Sequence, residues 1–90
     1  MQDYSILVAP VIHEMARPLS ALPVGSRGTL VNLAVDPEAL RRMVSLGFTP
    51  GTEITIVQNP KYGPLIVLLR NIRIALGRAE AQKILVRRCE

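Results

Sequence analysis

His13 beside Glu14 is the one adjacent pairing in this 90-residue sequence that suggests acid–base or metal chemistry. A triad or a metal site needs further groups converging on that pair. The other carboxylates are few and scattered, so no general acid–base couple is apparent. Cys89 is the sole cysteine and lies 76 positions from the sole histidine, which makes no soft-metal cluster. A reactive thiolate needs an electropositive pocket, so Cys89 reads as a free thiol. Gly25-Ser26-Arg27-Gly28 lacks the Lys-Ser/Thr of a phosphate-cradling loop and precedes a strand pattern rather than a helix. These residues predict no catalytic centre, no cofactor and no tight Fe(II) or Zn(II) site within one chain.

The elements around them are better marked. Asp36-Pro37-Glu38 predicts a helix start: an aspartate to cap free amides, a proline where a missing N–H costs nothing, and an acid at the positive end of the dipole. Leu40, Met43 and Val44 follow at i, i+3 and i+4 as an apolar stripe, with Arg41, Arg42 and Ser45 facing outward. Gly47 suits a left-handed helix end, and Phe48 beyond it is placed to fold back onto Met43. Pro50-Gly51 supplies a reversal. From Thr52 to Gln58 the residues alternate, with Ile54 and Ile56 on the buried face of a strand.

Four further segments complete the pattern. Gly28–Val35 is rich in aliphatic and β-branched residues and predicts the first strand of the main body, after a turn at Pro23-Val24-Gly25. Leu65–Arg70 has no polar alternation and predicts a strand buried on both sides. Asn71 makes a tight turn into Ile72–Leu76. A helical turn at Ala79–Lys83 then precedes a last strand at Ile84–Arg88. The fold class read from this is mainly β: a small closed or nearly closed barrel of about five short strands with two short helices. Residues 1–18 form an N-terminal extension, open to reading as an edge strand, a short helix at Val11–Arg17 or a tail, and residues 19–90 form the domain.

Composition narrows the functions. Nearly half the residues are hydrophobic, 49%, enough for one core without staples. The longest aliphatic run, Leu65–Leu69, is far short of the ~20 residues of a spanning helix. No basic n-region precedes the interrupted run Ile6–Ile12, so no signal peptide or membrane insertion is expected. A lone cysteine fits a reducing, cytoplasmic setting. The net charge is +4, divided as −1 over residues 1–36 and +5 over residues 37–90. Arg41, Arg42, Arg70, Arg73, Arg87 and Arg88 could meet a nucleic acid, but Tyr4, Phe48 and Tyr62 are the only aromatics. Without a stacking platform, no nucleic-acid partner is expected.

In order along the chain stand Leu19-Ser20-Ala21-Leu22-Pro23-Val24-Gly25 with Gly28, Leu46-Gly47-Phe48-Thr49-Pro50-Gly51-Thr52, Pro64-Leu65, Ile74-Ala75-Leu76-Gly77, and Ala81 with Ile84-Leu85-Val86. This series resembles the FeoA family over residues 19–88. The resemblance implies an SH3-like barrel and a cytosolic, non-enzymatic accessory role beside FeoB, a membrane ferrous-iron transporter with a cytosolic GTP-binding domain. The same module is similar to the C-terminal SH3-like domain of iron-dependent repressors, which gives the alternative of a regulator-type domain binding a peptide or metal. The matching residues are glycines and aliphatics with architectural roles, among them Leu46 and Phe48 for packing. Oligomeric state is open, self-association included.

A docking surface combines exposed apolar area with polar or charged groups that the core does not use. Arg41 and Arg42 on the outward helix face, with Lys61 and Tyr62 in the Asn59–Pro64 loop, are the candidates, since Tyr and Arg are enriched at binding hot spots.

Overall fold

The computed structural model describes residues 16–89. Among them stand six antiparallel strands: β1 (Ala16–Pro18), β2 (Arg27–Leu33), β3 (Glu53–Gln58), β4 (Leu65–Leu69), β5 (Ile72–Leu76) and β6 (Ile84–Arg88). A 3-10 turn at Leu19–Ala21 follows β1. Helix α1 (Pro37–Leu46) joins β2 to β3, and the five-residue α2 (Arg78–Gln82) joins β5 to β6. Four strands, β2 to β5, are neighbours in chain order; β6 then returns between β2 and β1, giving the order β1-β6-β2-β3-β4-β5.

This is the expected mainly β architecture with two differences. There are six strands among the described residues, because Ala16–Pro18 pairs with Leu85–Arg87 at the sheet edge. A helix reaching Arg17 is therefore not formed. And β1 and β5 do not pair with each other, so the sheet stays open rather than closing. Extra residues at Val31 and Val57 shift the register in β2 and β3, and such bulges bend a sheet toward the curved form.

One apolar face makes the core. Ile54 and Ile56 are buried as the alternation requires, with Leu19, Leu22, Met43, Phe48 and Ile84. Gly28 is needed there for space: a Cβ would lie 3.0 Å from Val86 Cγ2. The cap of α1 forms as read, with Ala39 N–H donating to Asp36 Oδ1 at 2.8 Å and Gly47 left-handed at φ 109°. Phe48 N–H donates to Met43 O at 3.0 Å, and the Phe48 ring is fully buried.

Three packing expectations fail for one reason, the absence of a second layer over much of the surface. β4 buries Leu65, Val67 and Leu69 but leaves Ile66 and Leu68 half-exposed, since its outer face meets solvent. In α1 only Met43 enters the core; Leu40 and Val44 are exposed at 38% and 44%. Leu46 is also exposed rather than packed. The first strand of the main body spans Arg27–Leu33, ending two residues before Val35.

Candidate docking surface

The Asn59–Pro64 loop is held by two side chains, Arg78 and Asn59. Arg78, at the start of α2, donates from Nη1 to Pro60 O at 2.7 Å and Gly63 O at 3.2 Å, and from Nη2 to Asn59 Oδ1 at 2.8 Å. The amide of Asn59 in turn donates to Ser20 O at 3.1 Å and Leu22 O at 2.8 Å. A planar guanidinium with several fixed donors can bridge such carbonyls where a lysine could not. The loop, α2 and the 3-10 turn are thereby one unit. At its tip Tyr62 is 81% exposed, with Lys61 Nζ 5.9 Å from the ring centroid. That is close enough for a weak cation–π attraction.

Arg42 pairs with Glu80 and so ties α1 to α2. Arg41 is exposed and makes no hydrogen bond or ion pair among the described residues. Arg78 and Glu80 are two apart on α2, and side chains so spaced do not share a helix face. The Arg41–Arg42 pair and the Lys61–Tyr62 loop are therefore anchored on different sides of α2. No hydrogen bond or ion pair joins one pair to the other among the described residues. Sequence reasoning missed Arg78 and Asn59. No local signal marks them, because the residues they join are 15 to 39 positions apart.

Other features carry less chemistry. A shallow groove of about 470 Å³ lies beside Gly51, Thr52, Glu53, Thr55, Leu68, Arg70 and Asn71. Cys89 is half-buried, with Sγ 3.2 Å from Thr29 Oγ1. His13 and Glu14 lie outside the described residues. Among the described residues, no three of His, Cys, Asp and Glu are grouped as a metal site would need. No helix among them is long and apolar enough to cross a membrane.

Fe(2+) transport protein A of Methanocaldococcus jannaschii is 30% identical over 73 residues, covering 81% of this chain and 88% of that protein. A crystal structure of the iron uptake regulatory protein FeoA matches with a TM-score of 0.76 at 33% identity, over 83% of this chain and 99% of that one. A manganese-dependent transcriptional repressor shares the fold with a TM-score of 0.76 at 28% identity, over 82% of this chain and 42% of the repressor. The FeoA domain profile matches residues 17–88, and the open, bent sheet is of the SH3-like kind found in that group. With the order of its motifs, the sheet and this match in agreement, the chain belongs to the FeoA family.

Proposed function

We propose that this protein is a cytoplasmic, non-enzymatic accessory of ferrous iron uptake that docks on the cytosolic region of FeoB and assists or regulates transport. Family membership supports the iron-uptake setting. The observation that carries docking is Tyr62: a large amphipathic ring exposed at 81%, on a loop whose backbone is already fixed by Arg78 and Asn59. A pre-ordered loop loses little conformational freedom on binding, which leaves more of the contact energy as affinity. Lys61 beside Tyr62, and Arg41 on α1, supply charge to the same partner. Arg42 acts mainly by fixing α1 to α2 through Glu80.

Calorimetry with the purified cytosolic region of FeoB tests this. Tyr62→Ala should weaken binding by roughly tenfold or more, the range of a hot-spot truncation, with an unchanged melting temperature. Adding Arg41→Ala should weaken it further. Full affinity in the folded double variant refutes Tyr62 and Arg41 as contacts, and no binding by the wild-type protein refutes the docking itself.

A further inference from the structure

The β4–β5 hairpin turns on Arg70 and Asn71, left-handed at φ 52° and 66°, the geometry of a two-residue turn that matches strand twist. Leu69 and Ile72 flank it as partners, and across a two-residue hairpin such a pair exchanges hydrogen bonds. The pattern then alternates along an antiparallel ladder. Ile72, Ile74 and Leu76 therefore bond to β4, while Arg73 and Ala75 direct their N–H and C=O groups to the outer edge. Among the described residues no strand pairs with that edge.

Open edges are commonly blunted by proline, by charge or by a covering element. The Ile-Arg-Ile-Ala-Leu sequence of β5 has no proline and one charge. Its inner row opens toward the turn: Leu76 is buried, Ile74 half-buried and Ile72 61% exposed. Arg73 stands on the other face, opposite Leu68, with Arg70 at the turn. Neither arginine belongs to an ion pair among the described residues. The edge thus offers two backbone donors, two backbone acceptors, one exposed apolar side chain at Ile72 and an unneutralised cation at Arg73; the stem of Arg70 lies toward Gly47, on the other side of the turn.

We propose that the outer edge of β5 receives an extended acidic peptide as an added strand. The ligand's alternate apolar side chains continue the Ile72–Ile74 row, and its carboxylates face Arg73. Main-chain bonds supply affinity in this mode and side chains supply selectivity. Charge complementarity decides the occupant: a second copy of β5 carries no carboxylate and would only add a cation to a cationic edge, whereas an acidic strand neutralises it. The inference holds for any partner with such a segment and does not depend on the transporter reading.

A blocked peptide of alternating valine and glutamate, and its valine–lysine counterpart, are titrated into the isotope-labelled protein at low salt. The glutamate peptide should give its largest amide shifts, with slowed hydrogen exchange, at Arg73 and Ala75, and the lysine peptide should bind more weakly. Arg73→Glu should reverse that preference. Ala75→Pro removes an outward N–H at an edge position that accommodates proline, and should weaken binding roughly tenfold, the loss of about one good hydrogen bond. Should the proline variant not fold, the charge reversal decides the matter. Shifts centred on the groove beside Thr52 and Leu68, equal binding of both peptides, no binding, or β5 shifts caused by protein concentration alone would each overturn the proposal.

Discussion

Helix α1 and the Asn59–Pro64 loop are both surface elements, yet they are held by opposite means. α1 is completed by neighbours in sequence: Asp36 caps its start, Gly47 ends it, and Phe48 returns a bond to Met43. It sends one side chain, Met43, into the core and leaves Leu40 and Val44 exposed. The loop has no repeating backbone bonds of its own, and distant residues supply its order: Arg78 from α2 and, through Asn59, carbonyls of Ser20 and Leu22. A self-sufficient helix can sit loosely on a sheet; a loop presenting an exposed tyrosine has to be fixed from outside.

The largest effect should fall where α1 meets the core. Phe48→Ala should cost about 3–5 kcal/mol, the usual range for truncating a buried phenylalanine, read as a lower denaturation midpoint. An unchanged midpoint would show that the ring is not the joint between helix and sheet. Next comes the loop. Arg78→Ala removes three charge-assisted bonds, but two are at exposed acceptors that water can serve, so about 1–2 kcal/mol is expected. Faster amide exchange at Lys61 and Tyr62 should accompany the loss, and Arg78→Lys should not restore protection, because an ammonium lacks the planar fork. Protection retained in Arg78→Ala would mean that the loop orders itself, erasing the contrast.

Asp36→Ala should cost about 1 kcal/mol, the common value of a lost helix cap, with fraying confined to the first turn of α1 by amide exchange. Smallest of all, Leu40→Gln and Val44→Gln should each change stability by no more than about 0.5 kcal/mol, as surface substitutions do. A loss of 2 kcal/mol or more would show that α1's outward apolar side chains are packed in solution.

The same division separates what could be read in advance from what could not. Asp36-Pro37, Gly47 and Asn71 are legible because capping and tight-turn chemistry acts over a few residues. Ile54 and Ile56 are legible because a strand has a period of two. These signals suffice for a mainly β fold of short strands; the SH3-like form is what the family resemblance, carried by the motifs over residues 19–88, implies. The Leu40–Val44 stripe and the unbroken Leu65–Leu69 run mislead because hydrophobicity shows what can be buried, not what the fold covers. Burial needs a facing layer, and this small open sheet provides one over a single face. The arrangement of the docking surface lies beyond local reading altogether. Arg78 reaches the loop, Arg42 is drawn to Glu80, and β5 is left as an edge only because strand order brings some distant segments together and keeps others apart.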